Sequence, residues 1–188
     1  MASTIICPTD CTSVLPASLF SRCAPQTNAG EIETILMGAQ GTVFAAYAEE
    51  DATVALKGSF ATEVLALITA GTLKRLTVIG EKPAPADNKV TISGNRTVQG
   101  ARDHVVNFTI DETNSVNHKW VQRIECGGSY PFWYITSSGK MFGGVTGIEG
   151  SFSGSVVIPK DRKSLMTIEG SATWNSKFTE DRTFSPLS

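Results

Sequence analysis

Histidine is nearly absent from this sequence, two residues in 188, and with it go most metal centres and most general acid–base schemes, which lean on imidazole. Charge is thin as well. Asp, Glu, Lys and Arg make up 18% of the chain, below the roughly one quarter usual for soluble proteins. With 16 basic and 18 acidic side chains the net charge is -2, so no global field draws nucleic acid or an anionic membrane. No apolar run reaches the roughly 18 to 20 residues that span a bilayer, and no membrane partner is expected. The opening MASTIICPTDC has neither the basic start nor the apolar stretch of about 7 to 15 residues that a secretory signal needs. A soluble protein made in a cytoplasm is therefore expected, and the glycosylation patterns at Asn95 and Asn107 read as chance. The phosphate-cradling GxGxxG and GxxxxGK[ST], the zinc-protease HExxH and the serine-hydrolase GxSxG are all missing, which leaves those chemistries without a starting point.

Four cysteines are present, Cys7, Cys11, Cys23 and Cys126. A structural zinc site takes two close-spaced pairs of ligands, whereas here one CxxxC pair is followed by two lone cysteines with no histidine beside them. Free thiols are the expected state, with a disulfide or an ion at the first three left open. At this length a core can form without metal or disulfide support.

What the chain does have is Ser, Thr and Gly, 17 of the last, a mix that suits strands and turns. Residues 1–30 hold Pro8, Pro16 and Pro25 with no sustained period, and read as an extended arm carrying an apolar cluster of Val14, Leu15, Leu19 and Phe20. Residues 31–188 read as one domain with a short tail. In it EIETILMG and TVFAAYA, separated by Ala39, Gln40 and Gly41, predict a hairpin. SFATEVLALITAG predicts a helix capped by Ser59 and stopped by Gly71, and TLKRLTVIG a strand before the proline loop EKPAPADNK. VTISGNRTVQGARDHVVNFTID predicts a strand pair, with His104, Val106, Phe108 and Ile110 on a buried face. SVNHKWVQRIEC predicts a second helix capped by Thr113 or Ser115, with a strand at WVQRI as the competing reading. GSFSGSVVIP and SLMTIEGSATWNS predict two more strands, and KFTEDRTFSPLS a tail. The fold class expected is mainly β, or α+β: an antiparallel sandwich flanked by one or two short helices.

The stretch PFWYITSSGKMFGG, residues 131–144, carries four of the chain's fifteen aromatic side chains. Strands that stack bases pair their rings with Lys and Arg, yet Lys140 is the sole basic residue between Ile124 and Val157. Alternation puts Phe132 and Tyr134 on one face and Trp133 and Ile135 on the other, so both faces need cover. The expectation is that part of the cover is another copy of the chain. His104 reads as a satisfied core or rim histidine and His118 as a solvent residue. Asp103, Asp111 and Glu112 read as turn and helix-start acids. A Cys126–histidine nucleophile pair would make Cys126 label far faster than Cys7 or Cys11 near neutral pH.

The order of features adds a likeness. A Cys-rich start, GEIETILMG, a helix, KVTISGNRTVQGARDHVVNFTIDETN, a short helix, the segment ending SSGKMFGG and a closing TIEGSATWNSKFTEDRTFSPL resemble structural proteins of tailed bacteriophages. The likeness is to tail-tube and related ring-forming virion subunits, found in phages of Bacteroidetes-type hosts. It implies a non-enzymatic β-sandwich subunit without cofactor, catalytic or metal residues, located in the virion. Copies would join in rings and stack into a tube that passes DNA, beside other virion proteins. It also implies contacts through a long loop or hairpin and a terminal arm, here residues 80–100 and 1–30. Candidate contacts are Phe20 in the arm, Lys82, Arg96 and Arg102 in and beside the loop, and Trp133 and Tyr134 in the aromatic segment. A neck, capsid-surface or fibre-base role stays open, as does a carbohydrate- or protein-binding module working through the aromatic hairpin.

Overall fold

A computed structural model describes residues 30–93, 96–161 and 163–187. The arm expected at residues 1–30, with Phe20, Cys7, Cys11 and Cys23, lies outside the described residues apart from Gly30. The chain runs β1 (Ile32–Gly38), α1 (Val54–Thr69), β2 (Leu73–Glu81), β3 (Lys89–Ile92), β4 (Arg96–Gln99), β5 (Arg102–Ile110), α2 (Ser115–Ile124), β6 (Ser129–Thr136), β7 (Lys140–Phe142), β8 (Ile148–Val157), β9 (Thr167–Ser176) and β10 (Arg182–Phe184). No helix among the described residues is long and apolar enough to cross a membrane.

The mainly β expectation with two helices holds, but the main sheet closes on itself where two facing sheets were expected. Six strands pair antiparallel in the order β1-β2-β5-β9-β8-β6, and β6 returns to β1 through Ile35↔Tyr134 and Met37↔Phe132. Closure removes the free edges that an open sheet exposes. β7 and then β10 extend the ladder from β6, and β3–β4 form a separate two-stranded sheet.

Strand alternation decides which side chains fill the barrel. On β5, His104, Val106, Phe108 and Ile110 are all buried, while Asp103 and Asn107 are exposed, as the period of two requires. Glycine makes room for the largest of these: a Cβ on Gly170 would sit 2.6 Å from the Phe108 ring. The inner core also takes Ile35, Met37, Leu76, Val78, Phe132, Phe152 and Ile168, with Val121 and Ile124 of α2 packed in. Asn114 caps α2 in place of Thr113 or Ser115, accepting from the Val116 and Asn117 N–H groups.

A second core lies outside the barrel wall. Leu36, Trp133, Ile135 and Met141 face outward from β1, β6 and β7 and meet Phe60 and Val64 of α1, together with Phe44 and Ala48. The helix starts earlier than its sequence suggested. Thr53 is the N-cap, and Ser59 sits inside the helix donating to the Ala55 carbonyl; Gly71 does take a left-handed φ of 77° after its end.

Two expectations about local partners fail for one reason. TVFAAYA is not the second strand of a hairpin, because β1 already has β2 on one edge and β6 on the other. The loop's amides go elsewhere: Ala45 and Ala46 N–H each donate to the Glu63 carboxylate at 2.8 Å. Similarly VTISGNRTV does not pair with HVVNFTI. β3 pairs with β4, and β5 lies between β2 and β9. The supposed tail also enters the sheet, as β10 pairs with β7 and Thr183 is fully buried.

Trp133 joins these layers. It is fully buried, its Nε1–H donates to the Gly144 carbonyl at 2.8 Å, and its ring meets Phe44 at a tilt of 40° with centroids 4.5 Å apart. Trp133→Ala should therefore cost about 3–5 kcal/mol of folding stability, read by denaturant unfolding. A loss under about 1 kcal/mol, the size of a surface substitution, would contradict this placement.

Candidate assembly surface

The β3–β4 hairpin has little cover from the rest of the described chain. All of β3 and most of β4 are exposed. Its cross-strand pairs Val90↔Val98 and Ile92↔Arg96 put three apolar side chains and one arginine on one face, and Lys89, Thr91, Thr97 and Gln99 on the other. Val90, Ile92 and Val98 are 46%, 38% and 37% exposed. A lone two-stranded ribbon is marginal in water without a third strand or a packed face, so its direction is fixed at the base. There Asn88 Nδ2 donates to the Ala101 carbonyl at 2.9 Å, and Gly100 N–H donates to the Asn88 carbonyl at 2.7 Å.

A different surface covers the outside of β5, β9 and β8. Asn107, Thr173, Asn175, Ser151, Ser153 and Ser155 are exposed there, along with Asp103 and Glu169. Neighbouring polar groups satisfy one another: Ser153 and Ser171 hydroxyls lie 2.9 Å apart, and Asn175 Nδ2 donates to Asp103 at 2.8 Å. No basic residue alternates onto this face. It is a hydroxyl-rich, weakly acidic stretch of the barrel wall.

The six candidate contact residues separate sharply. Arg96 stands exposed on the hairpin, and among the described residues it makes no ion pair. Lys82, at the foot of the loop, lies 3.5 Å from Glu180. Arg102 is half-buried beside the hairpin base. Phe20 lies outside the described residues. Trp133 and Tyr134 are 0% and 3% exposed in the single chain. Their expected burial by a second copy is thus corrected, since the two cores of one chain already cover both faces of β6.

Tyr134 opens onto a buried polar cluster that the sequence did not reveal. Glu180, from the segment between β9 and β10, places Oε1 3.3 Å from His104 Nδ1 and Oε2 3.5 Å from Lys82 Nζ. His104 Nε2 lies 3.2 Å from the Ser176 carbonyl, which can only accept, so Nε2 carries a hydrogen. The ring also stacks on Trp174 at 5.1 Å. His104 Nδ1 and Glu180 Oε1 miss hydrogen-bonding angles despite their separation, which makes the contact an electrostatic approach. Burial first, then the Glu180 charge and hydrogen bond, push the Tyr134 phenol well above its ordinary value. Nothing within KFTEDRTFSPLS marks Glu180 as the acid that turns inward.

Both His104 nitrogens face partners inside the fold, whereas Cys126 is exposed at the end of α2 with its thiol 3.7 Å from the Gln122 carbonyl. His118 is exposed on the same helix. Glu112 accepts from Asn114 Nδ2 at 2.8 Å, a helix-start arrangement. Among the described residues no group of three or more His, Cys, Asp or Glu side chains could hold a metal ion.

Glu50 ties the loop before α1 to the last strand. Its carboxylate receives Lys140 Nζ of β7 on one oxygen and Arg182 on the other at 2.9 Å. The Lys140 hydrogen bond, with help from Arg182, holds the Glu50 carboxyl below its ordinary value against a raising effect of burial. The unfolded chain then binds a proton at higher pH than the folded one, so this link stabilises above the ordinary carboxylate value of about 4.3 and is lost as pH falls through the lower folded value. Glu50→Gln should flatten the acid side of a stability-against-pH curve and leave its shape near neutrality unchanged. An unaltered acid limb would remove Glu50 from that role.

No model of a known protein family matches this chain. No curated protein matches it either.

Proposed function

We propose that this protein is a non-enzymatic structural subunit of a bacteriophage virion, of tail-tube or neck type, that assembles with its own copies into a ring or tube passing DNA. The observation that carries the reading is the β3–β4 hairpin, an amphipathic ribbon held out from a closed body with its apolar face in solvent. A monomer gains nothing from that face, and a neighbour would bury it. The hairpin falls within residues 80–100, the segment that the phage likeness implies for subunit contacts. In a ring, the part of the outer wall that carries Asp103, Thr173, Asn175, Ser151 and Ser153 suits a lumen: it has an acid and hydroxyls but no cations with which to hold phosphates.

The sandwich expected of such a subunit is replaced by a barrel wall, and the contact role once given to Trp133 and Tyr134 passes to the hairpin. A carbohydrate- or protein-binding module working through the aromatic segment would need those rings at the surface, and they are buried. Nothing favours that alternative.

Negative-stain microscopy and sedimentation of the purified protein should give rings or short tubes. Val98→Asp, at an exposed position, should keep the thermal midpoint within about 4 °C of wild type, the shift of roughly 1 kcal/mol or less, and abolish assembly. A wild-type protein that stays a clean monomer at high concentration would overturn the reading.

A further inference from the structure

We infer that the hairpin of one copy docks in an acidic groove on the barrel wall of the next. The groove is an open cavity of about 550 Å³ lined by Glu31, Ile79, Glu81, Asn107, Thr109 and Glu169, with Gly80, Phe108 and Gly170 as its floor. It forms where β2 and β5 share three residue pairs, Ile79↔Thr109 to Glu81↔Asn107, and where β9 follows. Three acidic residues line it, and among the described residues none of the three is paired with a cation. In their midst Ile79 is 58% exposed, an apolar contact point on an acidic rim.

The hairpin is the complement of this groove. Val90, Ile92 and Val98 give it an apolar face, Arg96 adds a cation to that face, and Lys89 stands at its base paired loosely with Asp87 at 3.9 Å. The hairpin supplies a cation, Arg96, where the groove has acids, and branched apolar side chains where the groove has Ile79. Opposite charge of this kind fixes register and orientation across an interface more than it adds affinity. The hairpin and the groove are different surfaces of one chain, so the contact is heterologous, and repeating it generates a ring or a helical run. The other hairpin face, Lys89, Thr91, Thr97 and Gln99, stays polar and outward, as a rim should be. This inference rests on the self-assembly proposed above and adds the receiving surface to it.

The test uses two full-length variants, one with the hairpin reversed (Arg96→Glu) and one with the groove reversed (Glu31→Lys/Glu169→Lys). All three positions are exposed, so both variants should melt as wild type does, which circular dichroism checks. Each alone should self-associate about fivefold or more weakly, the scale of exposed charge pairs turned repulsive, and an equimolar mixture should recover assembly because each hairpin then meets a groove of opposite sign. Sedimentation velocity reads all three. If wild type assembles while the hairpin-reversed chain assembles equally well, or while the mixture fails to recover, the groove is not the hairpin's receiver and this inference falls alone. If wild type does not assemble, the reading of a self-assembling subunit falls, and this inference with it.

Discussion

Four consecutive bulky side chains on β6, Phe132, Trp133, Tyr134 and Ile135, have to leave water on both faces of one strand, and much of the fold follows from meeting that demand twice. Phe132 and Tyr134 point into the barrel, which closes through the β1–β6 ladder around them. Trp133 and Ile135 point out, and α1 with the loop before it is laid over them. Each fully buried side chain of this size contributes about 1.5–3 kcal/mol relative to exposure, so neither layer is dispensable. The glycines nearby answer the same demand: a Cβ at Gly143 would come within 2.5 Å of the Trp133 ring, and one at Gly147 within 2.8 Å.

Strand identity and the inner face were legible because they depend on period alone. The alternation from His104 to Ile110 appeared in the sequence and reappears as burial. Partner choice was not legible, because it depends on edges already taken. TVFAAYA has the composition of a strand and lost its place to β2 and β6, which come later in the chain. The cap positions slipped for a related reason: Thr53 and Asn114 precede the apolar periodic residues that mark a helix in sequence. The aromatic segment was rightly read as needing cover on both sides. What supplies the cover is α1 and the barrel interior, and no local pattern could have distinguished them from a neighbouring subunit.

Of the candidate surface, only the span 80–100 was legible beforehand, and it came from the phage likeness. That VTIS and RTV pair with each other, with Arg96 on the resulting ribbon, comes from the fold. The groove was invisible, since Glu31, Glu81 and Glu169 are scattered over 138 positions and meet only through the β1–β2–β5–β9 ladders. The Glu180 cluster was invisible in the same way. Both are products of the order in which distant strands pair around the closed wall, which a list of strands does not contain.

That closure also has an order in time. β9, residues Thr167–Ser176, is the stave between β5 and β8, and it is synthesised after both of them. Until it emerges, β5 and β8 have no common neighbour and the wall stays open, whereas the hairpin needs only residues 88–101 to form its local ladder and latch. Pairings between distant segments form later than local ones. A growing chain can therefore pair its projecting ribbon before its barrel wall is finished.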